Sequence, residues 1–193
     1  MGGAGMSLFR RRLAIACQLF FDYKELDYIE SAGNTYIDTG VPADARLKFR
    51  IQFSNWEYAN GSGIFGSSFW NTSLIYYHGT LRYCLPTKAY SYSCGDNVSL
   101  SGTLTCTENG CTGDFEMTEV RDANAGSLNI TLFRGGIGIA KARVHSFKIW
   151  DSSGTLVRSF IPLMRKSDKE IGMYDLVNNK FYLSIDGVKF KGK

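Results

Sequence analysis

Glu25-Leu26-Asp27-Tyr28-Ile29-Glu30 is the stretch of this chain whose residue types and spacing best match a hydrolytic constellation. Two carboxyl groups about 5–5.5 Å apart suffice for retaining glycoside hydrolysis, one as nucleophile and the other as general acid and base. Glu25 and Glu30 are the candidate pair. The position argues against them, because the motif straddles the junction between an N-terminal arm and the first strand. A solvated acidic strand start is the simpler reading, so no catalytic residue is assigned and the chain is expected not to be an enzyme.

Nucleophilic and metal chemistry find less. His78, in Tyr76-Tyr77-His78-Gly79, reads as a hairpin end, and His145, in Val144-His145-Ser146, as a residue on a strand face. No Gly-x-Ser-x-Gly elbow is present. Arg134-Gly135-Gly136-Ile137-Gly138 lacks the strand-to-helix context of a phosphate loop and reads as a turn. The histidines stand at no ligand spacing from the cysteines, and no Asp-x-Asp oxygen cluster suits calcium. No metal and no cofactor are expected.

The chain has five cysteines, an odd number that favours free thiols over a disulfide framework. Cys106-Thr-Glu-Asn-Gly-Cys111 could flank a hairpin loop closely enough to bridge, Cys84 and Cys94 form a second candidate pair, and Cys17 is left over.

Aromatic residues among polar ones are the remaining chemistry. Trp and Tyr join an apolar ring to a polar handle and can stack on the C–H faces of sugars. Asn55-Trp56-Glu57-Tyr58-Ala59-Asn60, Phe69-Trp70-Asn71 and Tyr90-Ser91-Tyr92 have the interrupted, loop-placed character of such platforms. Trp56, Tyr58, Trp70 and Asn71 are thus the candidate glycan-binding residues. The plainer reading of Trp56 and Trp70 is that they plug the ends of a core, because aromatics bury large areas even from loops.

The elements that must position these residues follow from periodicity. Leu47-Lys-Phe-Arg-Ile-Gln-Phe53 alternates strictly, which predicts a strand with Leu47, Phe49, Ile51 and Phe53 inward. Further strands are predicted over 62–67, 74–78, 80–85, 98–107, 112–120, 128–133, 143–150, 156–161, 172–177 and 180–184. Turn signals such as Asn60-Gly61, His78-Gly79, Asn109-Gly110 and Ser153-Gly154 separate them. Short strands without intervening helices mean two packed antiparallel sheets, with Phe160, Ile161, Met173 and Leu176 joining the core. Before them, Phe9, Leu13, Cys17 and Phe20 share a stripe that predicts a helix over 7–24. Residues 1–25 are accordingly read as a leader and arm, and 26–193 as the sandwich.

The bulk numbers agree with one all-β domain. The 193 residues are 44% hydrophobic and 14% aromatic, with 21 glycines and 3 prolines. The net charge of +4 rests partly on Arg10, Arg11 and Arg12 and on the terminal lysines, which does not make the basic face of a nucleic-acid binder. Four apolar residues separate Arg12 from Cys17, short of the roughly 7–15 of a signal-peptide core. No stretch nears the roughly 20 apolar residues of a membrane span. Synthesis in a bacterial cytoplasm without a classical export signal is expected, and neither membrane nor nucleic acid is expected as a partner.

Three segments carry a resemblance. They are Tyr28-Ile-Glu-Ser-Ala-Gly-Asn-Thr-Tyr-Ile-Asp-Thr-Gly40, Ala142-Arg-Val-His-Ser-Phe-Lys-Ile-Trp-Asp-Ser-Ser-Gly-Thr-Leu-Val-Arg-Ser-Phe-Ile-Pro162 and Ile171-Gly-Met-Tyr-Asp-Leu-Val-Asn-Asn-Lys-Phe-Tyr182. They resemble the two ends of concanavalin A-like (laminin G-type) jelly-roll domains, which occur in gut-bacterial surface proteins and in structural proteins of gut bacteriophages. In jelly-roll glycosidases the Glu-x-Asp-x-x-Glu strand lies mid-chain, unlike here. Met6-Ser-Leu-Phe-Arg-Arg-Arg-Leu13 resembles the start of small phage proteins carrying this domain. The resemblance implies a non-enzymatic virion protein: a head fibre, a capsid decoration or a tail-associated lectin-like domain. Its arm (Phe9, Arg10, Arg11, Arg12, Leu13, Phe20) would dock on other virion proteins or on itself as a homo-oligomer, with carbohydrate as a further partner. The alternative is a glycan-binding module on a bacterial cell surface.

Overall fold

The computed structural model describes residues 19, 21–57, 59–68, 71–96, 98–120, 128–136 and 138–193, with backbone alone for Ser68 and Asn71. The architecture is all-β. In chain order the strands are β1 (Tyr23–Glu25), β2 (Ile29–Ala32), β3 (Ile37–Pro42), β4 (Lys48–Glu57), β5 (Ser62–Ser68), β6 (Asn71–Tyr77), β7 (Thr80–Cys84), β8 (Ala89–Ser93) and β9 (Ser99–Thr107). They continue with β10 (Gly110–Gly113), β11 (Thr118–Val120), β12 (Asn129–Leu132), β13 (Arg134–Gly135), β14 (Gly138–Ile139), β15 (Lys141–Trp150), β16 (Leu156–Arg165), β17 (Ile171–Asp175), β18 (Lys180–Tyr182) and β19 (Lys191–Gly192).

Two sheets result. The larger runs β10-β9-β4-β15-β16-β17-β18, with β2 on β15, β19 on β2 and β1 on β16; the smaller runs β11-β8-β7-β6-β5-β12-β3. Pairing is antiparallel except between β14 and β5. Phe49 and Ile51 of β4, Phe147 and Ile149 of β15, and Phe160 and Met173 face Phe65, Leu74, Tyr76, Leu81 and Tyr83 of the other sheet, all buried. The Phe49 and Phe65 rings meet across the interface at 4.8 Å. Sheet-on-sheet packing of alternating inward residues is the sandwich that the periodicity predicts.

The predicted inner face of Leu47, Phe49, Ile51 and Phe53 is buried as expected. Two other core assignments are corrected. Leu176 is 40% exposed, at the tip of the β17–β18 hairpin. Ile161 is half-buried and turns to the outer face, because Phe160 before it takes the inward position opposite Phe147. The sheet also begins earlier than Leu26. Tyr23, Lys24 and Glu25 pair with Arg165, Met164 and Leu163, so the helix predicted over 7–24 does not extend to its end. Residues 1–18 and Phe20, with the arm residues Phe9, Arg10, Arg11, Arg12 and Leu13, lie outside the described residues.

Local turn chemistry follows the sequence. His78 and Gly79 have φ of 44° and 67°, the pair of positive angles of a type I′ hairpin between β6 and β7. Glu108 and Asn109 turn β9 into β10, placing Cys106 opposite Cys111 with their Cα atoms 4.1 Å apart. The two are joined by a disulfide, against the expectation of free thiols. A non-hydrogen-bonded cross-strand pair brings the Cα atoms to about 4.5 Å, within bridging reach. Cys84 and Cys94 form no disulfide with each other.

Candidate functional site

Two bulges shape the outer face of the larger sheet. On β4, Ser54 and Asn55 stand opposite the single residue Ser101 of β9, and Asn55 has φ 50°. On β15, His145 is the extra residue between Val144 and Ser146. A bulge shifts the in–out alternation by one residue and re-aims the side chains around it. Trp56 therefore points into the core. It is fully buried, its Nε1–H donating to Ser62 Oγ at 3.3 Å, with Phe53 and Tyr76 against its ring. As a glycan platform it is ruled out. Tyr90 is buried too, and Tyr92 packs on Phe115 at 5.3 Å. Tyr58 and Trp70 lie outside the described residues, and Asn71 opens β6 with its side chain likewise outside them.

The β15 bulge brings His145 to β4. Its Nε2 lies 2.8 Å from Ser54 Oγ, and its Nδ1 lies 2.8 Å from the Asp27 carbonyl oxygen. A carbonyl only accepts, so Nδ1 carries the proton and Ser54 donates to Nε2. This is the tautomer that makes a serine nucleophilic. Two features weaken that chemistry. The orienting group is a neutral carbonyl, which supplies no charge to an imidazolium. The amide following Ser54, on Asn55, donates to Ser101 Oγ at 3.0 Å and is not directed at an oxyanion. The relay instead ties the Asp27 turn to the sheet.

The acidic motif is divided. Glu25 ends β1 on β16, whereas Glu30 lies in β2 on β15. Glu30 Oε2 accepts from Arg143 Nε at 2.6 Å, and this bond raises the pKa of the guanidinium. The Arg143 guanidinium also lies 4.5 Å from the Tyr28 ring centre. Glu25 and Asp27 line a cleft of about 690 Å³ with Gln52, His145, Leu26, Ile161 and Pro162. Its polar groups suit hydroxyl-bearing ligands, and the Glu25–Glu30 pair does not sit on one strand as the hydrolytic motif requires.

Beyond this cleft the face continues as a strip along β4 and β15. Lys48, Arg50, Gln52 and Ser54 point outward from β4 between buried Phe49, Ile51 and Phe53. Across from them stand Trp150, Lys148 and Ser146, with Thr105 and Thr103 of β9 on the other side. Lys48 Nζ lies 5.0 Å from the Trp150 ring centre. At the far end the cations are paired, Lys141 with Glu57 at 2.7 Å and Arg143 with Glu30. Lys48, Arg50 and Lys148 have no carboxylate partner among the described residues.

The described residues hold no group of three or more His, Cys, Asp or Glu placed to bind a metal. They include no helix long and apolar enough to cross a membrane. No protein-family model, no curated protein and no solved structure matches the chain.

Proposed function

We propose that the chain is a non-enzymatic structural protein of a bacteriophage particle, a head fibre, capsid decoration or tail-associated lectin-like domain, that binds host or mucosal glycans. On this reading the sandwich is a concanavalin A-like jelly roll and the N-terminal arm docks it on other virion proteins or on itself. The observation that carries the reading is the outer face of the larger sheet. It is polar and hydroxyl-rich, with an indole at one end and a tyrosine–arginine stack at the other. Its base-oriented serine has its neighbouring amide engaged elsewhere. Such a face suits recognition better than turnover.

The Cys106–Cys111 disulfide supports a working life outside the reducing cytoplasm. That property also fits the second reading, a glycan-binding module on a bacterial surface. A hydrolase built on Glu25 and Glu30 has the least support, since Glu30 is held by Arg143.

Density-gradient fractionation separates the two leading readings. In a phage-producing culture the chain should band with intact particles and be absent from envelopes of uninfected cells. Recovery from the envelopes of uninfected cells favours the surface module.

A further inference from the structure

We infer, resting on the glycan-binding reading, that the strip along β4 and β15 takes an acidic polysaccharide, a sugar chain carrying carboxylate or sulfate groups. The strip carries a local electrostatic cost. Arg50 and Lys148 are direct cross-strand partners on one face, and Lys48 sits two residues along on the same face, beside Trp150. Like charges directly opposite each other destabilise a sheet. The chain has 18 acidic residues, yet none of those described pairs with these three cations. Asp151, next to Trp150, has its carboxylate engaged by Ser153 and Thr155. An uncompensated cluster of this kind is stabilised when an anion enters it.

The neighbours narrow the class of anion. Adjacent strands are about 4.8 Å apart, so a single carboxylate or sulfate can be shared between Arg50 and Lys148. The guanidinium fork matches the two oxygens of such a group. Trp150 offers a ring for a sugar's C–H face, and Gln52, Ser146, Thr103 and Thr105 offer hydrogen bonds to hydroxyls. From Lys48 to Ser54 the strip is about 20 Å long at 3.3 Å per residue, which fits an extended chain of several sugars. A nucleic acid fits less well. Three cations neutralise few phosphates, and one indole is not the series of stacking platforms that single strands use. An acidic protein face fits less well too, since a stable interface needs about 800 Å² per partner around an apolar core that this polar strip lacks.

The test is binding of the intact protein to heparin, polygalacturonate, neutral dextran, poly-glutamate and a single-stranded oligonucleotide, each at two salt concentrations. Binding to heparin or polygalacturonate that weakens with salt, with dextran unbound, is the expected result. The double variant Arg50→Gln/Lys148→Gln should lose at least about tenfold in affinity for the acidic polysaccharide. Its melting temperature should equal or exceed that of the parent, because the like-charge contact is gone. Unchanged affinity in that variant overturns the inference, as does equal or tighter binding of poly-glutamate or the oligonucleotide. Binding of dextran that survives the double substitution overturns it while leaving the glycan-binding reading intact. Failure to bind any saccharide on a wider neutral and acidic panel removes both.

Discussion

Arg50 of β4 lies directly across from Lys148 of β15, on the solvent side of the two strands that form the centre of the larger sheet. Further along the same strands, Lys141 and Arg143 each hold a glutamate. The face is therefore neutralised at one end and left cationic at the other. That asymmetry, together with Trp150 at the cationic end, is the basis for placing recognition on this surface.

The inner side of the same strand sets stability. Phe49 is fully buried between Phe65 and Phe147, with ring centres at 4.8 and 6.2 Å. Phe49→Ala should lower the unfolding free energy by about 3–5 kcal/mol in urea titrations. Ile161→Ala, on the half-buried outer side of β16, should cost clearly less. Equal losses contradict the assignment of faces.

Tyr83 supplies the opposite sign. Its hydroxyl is fully buried without a hydrogen-bond partner among the described residues, and burial pushes its phenol pKa up. An orphaned polar group costs about 1–3 kcal/mol. Tyr83→Phe should therefore stabilise the sandwich by about 1 kcal/mol, read as a higher urea midpoint at unchanged slope. A lower midpoint contradicts the burial of an unpaired hydroxyl.

Much of the fold was legible because period-two alternation is a local signal. Leu47 to Phe53 shows its inward face without any knowledge of its neighbours, and His78-Gly79 announces its own turn. The bulges at Ser54–Asn55 and at His145 were not legible, and they reversed the meaning of Trp56: strict alternation past Phe53 leaves it outside, and one extra residue turns it in. The basic strip escaped for a different reason. Alternation puts Lys48 and Arg50 on one outer face and Lys148 and Trp150 on another, but their meeting depends on β4 pairing with β15, a long-range contact that no local pattern encodes. The acidic motif was visible as residues, whereas its division between β1 and β2 was visible only in three dimensions.

The Cys106–Cys111 bridge closes a short loop, for which chain-entropy arguments give about 2 kcal/mol. Reduction with dithiothreitol, or the Cys106→Ser/Cys111→Ser double variant, should lower the melting temperature by about 4–8 °C for a domain of this size. No shift on reduction, with both thiols titrating before reductant is added, contradicts the disulfide.

Acid should expose two turn carboxylates. Asp151 is held below its ordinary value of 3.8 chiefly by the Ser153 hydroxyl, then by the Thr155 amide. Asp168 is lowered chiefly by its hydrogen bond from the Arg165 guanidinium. A carboxyl with a lower pKa folded than unfolded stabilises fully above its unfolded value, and that stabilisation is lost as pH falls through the folded one. Asp168→Asn should thus be less stable than the parent near pH 7, and the two urea midpoints should converge near pH 2. A gap that persists in acid contradicts the ionic origin.

Amine labelling of intact particles reads out whether the outer face of the larger sheet meets the medium on the virion. Density-purified phage would be treated with a membrane-impermeant amine reagent and digested for mass spectrometry. The chain should be present, with Lys48 and Lys148 labelled as fully as in the isolated protein, because the outer face of the larger sheet is presented to the medium. Absence of the chain from particles contradicts the virion assignment. Protection of Lys48 and Lys148, with Lys88 of the smaller sheet's side labelled, contradicts the claim that this face does the recognising.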